Sequence, residues 1–130
     1  MKILVGYDGS NVAASALRLA ARHANAFDAE VHIVTSLSKG SDREQEQITA
    51  SEKGLEEARA LCEQKGVRCD THLLIRGLTS GEDLVQFAKE NDIDEIIVGV
   101  KRRSKVGKLL MGSTAQYVIL KAPCPVVSIK

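Results

Sequence analysis

The sequence predicts an α/β fold, a three-layer open parallel sheet of five strands with helices on both faces. Three observations predict it. Short runs of β-branched and apolar residues alternate with longer segments of helical periodicity along all 130 residues, in the order β-α-β-α-β-α-β-α-β. Strict alternation of this kind calls for parallel strands joined by right-handed crossovers. Apolar residues make up 44% of the chain, enough to bury both faces of such a sheet.

Ile3-Leu4-Val5 is a buried strand that ends in the turn sequence Gly6-Tyr7-Asp8-Gly9-Ser10. Ser10 or Asn11 is placed to cap the following helix, whose apolar positions are Val12, Ala13, Ala16, Leu17, Ala20, Ala21 and Ala24. Glu30 to Ser36 is the second strand. A polar loop over 37–43 leads to a long helix from Glu44 to Lys65 with a thin stripe of Ile48, Leu55, Ala58 and Leu61-Cys62, closed by Gly66. Arg68 to Ile75 is the third strand. Leu78 to Glu90 is the third helix, with Thr79 or Ser80 as its cap and Glu82 or Asp83 as first-turn acids. Asp94 to Val100 is the fourth strand. A basic loop from Lys101 to Met111 follows, and Gly112-Ser113-Thr114 opens a helix that runs to Lys121. Pro123 and Pro125 stop it, and Val126 to Ile129 is the last strand. Met111 reads as an anchor from loop to core. No internal repeat or low-complexity segment stands out, and the whole of 1–130 reads as a single domain.

The net charge of +1 argues against a global field that would draw the chain to nucleic acid or membrane. Two Phe, two Tyr and no Trp leave almost no base-stacking platform. No run is long enough to span a bilayer, and the N-terminus lacks a signal-type apolar region. Cys62, Cys69 and Cys124 are odd in number and form no C-x-x-C, which disfavours a disulfide framework or a structural zinc site. Free thiols point to a reducing, cytoplasmic setting. His23, His32 and His72 are scattered and read as structural or exposed.

Open parallel sheets bind ligands beyond the carboxyl ends of their strands, where the strand order reverses. The segments past the first and fourth strands are Gly6 to Ser10 and Gly99 to Gly112, both containing glycine. The second also carries Lys101, Arg102, Arg103, Lys105 and Lys108 and ends at a helix start, a composition suited to an anion. Neither G-x-x-x-x-G-K-[ST] nor G-x-G-x-x-G is present. Two other classes fit poorly. A receiver domain needs an Asp at the end of the third strand, where Ile75 is followed by Arg76-Gly77. A flavin site wants a Ser/Thr-rich loop where DGSNVAAS stands.

Three stretches resemble the universal stress protein family: residues 3–10 with their Asp and Ser; Arg76-Gly77, 84–88 and 94–99; and Gly112-Ser113-Thr114-Ala115-Gln116-Tyr117-Val118 with Ala122-Pro123-Cys124-Pro125-Val126-Val127. The resemblance implies a Rossmann-like or flavodoxin-like sheet of the adenine nucleotide alpha hydrolase-like kind, with strand order 3-2-1-4-5. ATP-binding members share a glycine, two residues, a second glycine, nine residues and then Gly-Ser or Gly-Thr. Gly99 and Gly112-Ser113 match that spacing, whereas the second glycine position is Arg102.

What the resemblance implies for function is an adenine nucleotide (ATP, AMP or cyclic AMP) as ligand, with Mg2+ as a candidate companion. Asp8 would sit near the ribose or a phosphate-bound metal, with Ser10 beside it. Gly6 and Ser36 would line the adenine or ribose side, and Val98 and Gly99 would pack on the nucleoside. Gly112, Ser113 and Thr114 would hold phosphate. Arg102 would replace backbone by a guanidinium fork, with Gly107 and Lys108 adding freedom and charge. The last strand would pair with its twin in a homodimer. A regulatory, stress-response module is expected, with any hydrolysis slow, because nothing resembles a base that would direct water at a γ-phosphate. The alternative is a dimeric interaction protein of the same fold that binds no nucleotide.

Overall fold

The computed structural model describes residues 1–100 and 111–130. Five parallel strands, β1 (Lys2–Gly6), β2 (Glu30–Ser36), β3 (Cys69–Leu74), β4 (Glu95–Gly99) and β5 (Val126–Ile129), lie in the order β3-β2-β1-β4-β5. Helices α1 (Asn11–Phe27), α2 (Glu44–Gln64), α3 (Ser80–Glu90) and α4 (Ser113–Lys121) connect them. The expected order of elements and strands is present throughout, with ends that shift by one or two residues. Asp94, expected in β4, instead accepts the Lys2 amide through its Oδ2 at 2.8 Å just before that strand begins.

The alternation of side chains splits the interior in two. Ile3, Val5, Ile33 and Ile97 face α1 and α2, while Leu4, Val34, Ile96 and Val98 face α3 and α4. The central strands are buried on both faces, which explains their near-continuous apolar sequences. On α1 the buried residues are Leu17 and five alanines, Ala13, Ala16, Ala20, Ala21 and Ala24. Small side chains let this helix lie close against β1 and β4.

Helix α2 is attached differently. Its buried residues are Leu55, Ala58 and Cys62, all in its second half. Ile48, expected in the stripe, is only partly buried. Helix α3 carries a capping box: Thr79 Oγ1 accepts from the Glu82 amide at 3.2 Å, and Glu82 Oε1 accepts from the Thr79 amide at 3.0 Å. Its start is Ser80, not Leu78, because Thr79 takes the extended cap conformation. Helix α4 begins after Gly112, which is its N-cap residue without a side-chain cap. Ser113 is therefore the first helical residue. Met111 is 47% exposed and does not anchor the loop, since Ala115 and Val118 already occupy the inner face of α4.

Candidate functional site

The pairing of β1 with β4 ends at Val5 and Ile97, and the segments that follow frame a cavity of about 250 Å3. Beyond β1, Gly9 adopts a left-handed φ of +80°, a conformation that glycine takes without strain. Asp8 Oδ1 accepts from the Ser10 amide at 3.0 Å across this turn. Ser10 Oγ in turn accepts from the Ala13 amide at 3.2 Å and caps α1. Asp8 and Ser10 are thereby set at the mouth of the cavity by the same turn that launches the helix. Tyr7 is held by two bonds to β2: its amide donates to the Val34 carbonyl at 2.9 Å, and its carbonyl accepts from Thr35 Oγ1 at 2.7 Å. Its phenol is pushed above the ordinary range by burial and by the nearby charges of Glu57 and Asp8.

The cavity is lined by Gly6, Asp8, Ser10, Ser36, Val98, Gly99 and Thr114 among the residues expected from sequence. Gly112 and Ser113 stand beside Thr114 at the start of α4 but do not line it. Arg102, Gly107 and Lys108 lie outside the described residues. Sequence reasoning missed Tyr7, Val12, Ala13, Val34, Ser80, Leu84 and Ala115. Most of these are apolar residues whose periodicity marks only a helix or strand face. Their place in the wall follows from where the element ends.

One polar group lies behind the wall. Asp83 is a first-turn acid of α3, as expected, and it is fully buried. Its Oδ1 accepts from Arg76 Nε at 2.9 Å, and its Oδ2 accepts from the Ser36 hydroxyl. Arg76 is held further by Glu90 Oε1 at 3.1 Å and by the Asp83 carbonyl at 3.3 Å. Burial alone would lower the guanidinium pKa, but the bonds and charges of Asp83 and Glu90 outweigh it and raise it.

The histidines lie away from the cavity lining. His23 Nδ1 is 2.7 Å from Glu95 Oε1. His32 sits between Glu30 and His72, at 3.0 and 3.1 Å, and both rings lie against Phe87. Among the described residues no group of three or more His, Cys, Asp or Glu is placed to hold a metal ion, and no helix is long and apolar enough to cross a membrane.

The model of the universal stress protein family matches residues 1–130. The chain belongs to the universal stress protein family. The universal stress protein from Archaeoglobus fulgidus is 39% identical and superposes with a TM-score of 0.93, over 100% of this chain and 98% of that one. A structure described as the universal stress protein from the same organism in complex with dAMP is 35% identical, with a TM-score of 0.86 over 100% of this chain and 98% of the other. A universal stress protein of Methanocaldococcus jannaschii is 30% identical over 140 residues, covering 99% of this chain and 81% of that relative.

Proposed function

We propose that the cavity beyond β1 and β4 binds an adenine nucleotide, ATP, AMP or cyclic AMP, and that the protein works as a regulatory stress-response module with little or no catalysis. The observation that carries this is the mixed lining of the cavity, apolar side chains together with Asp8, Ser10, Ser36 and Thr114. Val34, Leu84 and Val98 supply an apolar lining suited to a base, and Thr114 brings to the same cavity the start of α4, which among the described residues has no side-chain cap. First-turn N–H groups without a side-chain cap are donors for an anion, assisted by the helix dipole. Asp8, the one carboxylate among the described lining residues, is placed for a ribose hydroxyl or for a Mg2+ carried by phosphate, which needs only one or two protein carboxylates. Arg102, Gly107 and Lys108 are assigned by sequence to the phosphate end. The Archaeoglobus fulgidus relative solved with dAMP supports the same ligand class.

The test is direct. Protein purified without added nucleotide is denatured, and the released small molecules are identified by mass spectrometry, with calorimetric titration of ATP, AMP and cyclic AMP alongside. One adenine nucleotide per chain, or saturable binding, is expected. A folded, empty protein that binds none of the three would overturn the proposal and favour the nucleotide-free interaction protein. Arg102→Gly then separates the two roles of that arginine: gained ATP affinity marks it as a block, lost affinity as a phosphate ligand.

We also infer a homodimer through β5. This strand is a sheet edge whose Val126, Val127 and Ile129 are only half-buried, and Ile119 and Leu120 on the preceding helix α4 are 40% and 70% exposed. A molar mass of two chains by light scattering is the expected result, and a monomer at micromolar concentration would refute it.

A further inference from the structure

Ser36 closes β2 on the cavity wall, and Asp83 lies directly behind it. A serine hydroxyl carries one proton, and a carboxylate only accepts. With its proton given to Asp83 Oδ2, Ser36 Oγ offers the cavity lone pairs alone. Asp83 cannot turn to release it, because Oδ1 is held by Arg76 Nε at 2.9 Å and Arg76 is itself tied to Glu90. Asp83 has no exposure to water that could stand in for either bond.

Position along the sheet says which part of a ligand meets Ser36. Strand β1 separates β2 from β4, so Ser36 and the β4–α4 side are two strand spacings apart, about 10 Å. That distance matches the length of a nucleoside. A nucleotide with its phosphate at the start of α4 therefore lays the edge of its base against β2. Adenine presents an amino donor at C6, whereas a 6-oxopurine presents a carbonyl acceptor there. Two acceptors facing each other in a buried slot are left unpaired, which is costly.

We propose that Asp83 fixes Ser36 as a hydrogen-bond acceptor and so makes the base end of the pocket select amino purines over 6-oxopurines. This rests on the nucleotide-binding reading given above. Asp83 is a positioning residue: it acts on the ligand only through the Ser36 hydroxyl.

The experiment is calorimetric titration of AMP and IMP into the full chain, the Asp83→Asn variant and the Ser36→Ala variant, with circular dichroism as a check of folding. The parent should bind AMP at least about tenfold more tightly than IMP. In Asp83→Asn, the amide oxygen stays with Arg76, so the amide NH2 faces Ser36 and the serine proton is released toward the ligand. The AMP-to-IMP ratio should then fall about tenfold, to near unity or below it. Ser36→Ala should also bring the ratio toward unity with Asp83 intact, and it decides the matter if Asp83→Asn does not fold. A merely structural role for Asp83 would weaken both nucleotides together and leave the ratio unchanged. A parent ratio near one, or a ratio retained in the folded variants, overturns the proposal. A parent that binds neither AMP nor IMP overturns this inference, and the nucleotide-binding reading falls with it only if ATP and cyclic AMP also fail to bind.

Discussion

Gly99 and Val12 touch where β4 meets the start of α1: a Cβ built on Gly99 would lie 2.8 Å from both Val12 methyls and 3.3 Å from its backbone carbonyl carbon. Both residues line the cavity. The first turn of α1 therefore rests on bare backbone. Gly99→Ala must push that turn outward, and overpacking of this kind costs about 1–3 kcal/mol. A lower urea midpoint and weaker AMP binding are expected together. A variant with parental stability and affinity would show that the helix start yields freely.

The Arg76–Asp83 pair joins the end of β3 to α3. Removing the guanidinium leaves a fully buried carboxylate with, among the described residues, the Ser36 hydroxyl as its remaining side-chain partner. Arg76 is partly exposed, so Arg76→Ala should cost about 2–3 kcal/mol, at or below the bottom of the range for wholly buried pairs. The double variant Arg76→Met/Asp83→Leu removes both charges and should recover most of that loss in chemical denaturation. Equal destabilisation of the single and double variants would argue that volume, not charge, is what the pair supplies.

The His32–His72–Phe87 cluster gives a pH dependence with a definite sign. The His72 pKa lies below the ordinary histidine value, first because the ring is desolvated and then because His32 stands beside it. The unfolded chain thus takes up a proton that the folded chain resists, and stability falls as pH drops below about 6.5. The Glu30 pKa is also lowered, chiefly by its bond from His32, so its contribution is lost only at lower pH, as the carboxylate range is entered. Melting temperatures recorded from about pH 7.5 down to about pH 5.5 should decline in the parent, with a shallower slope in His72→Gln. Parallel slopes would remove His72 from the account.

Two caps separate stability from binding. Thr79→Ala breaks the α3 capping box and should cost about 1 kcal/mol while leaving AMP affinity unchanged, because Thr79 is not in the cavity wall. Ser10→Ala removes a cap of similar worth from α1, but Ser10 lines the cavity, so affinity should fall as well. Thermal denaturation and titration of the two variants side by side would show this split or deny it.

The layered sheet was legible because each element obeys a local rule. Ser10 and Thr79 cap as their sequence positions suggest, and the alternation in β1 and β4 reports burial on both faces. The cavity was legible at its glycines and polar residues, since a turn after a central strand is visible in the chain. Asp83 was not, because its environment is made by Ser36, 47 positions away, and by Arg76, and no periodicity records that meeting. An acid in a first turn looks the same whether it faces water or a guanidinium at the edge of the core. Met111 was misread for a related reason: an apolar residue before a helix is buried only if that helix leaves room for it.

Helix α2 is one helix in its backbone and two in its attachment. The stretch 44–54 hangs from the sheet with no buried side chain, while the stretch from Leu55 onward is pinned by Leu55, Ala58 and Cys62. Opening the first three turns therefore forfeits little beyond their own hydrogen bonds, whereas opening the rest exposes core. Backbone amides before Leu55 should trade hydrogen for deuterium well ahead of those after it, and a protease should nick the chain there while the sheet stays closed.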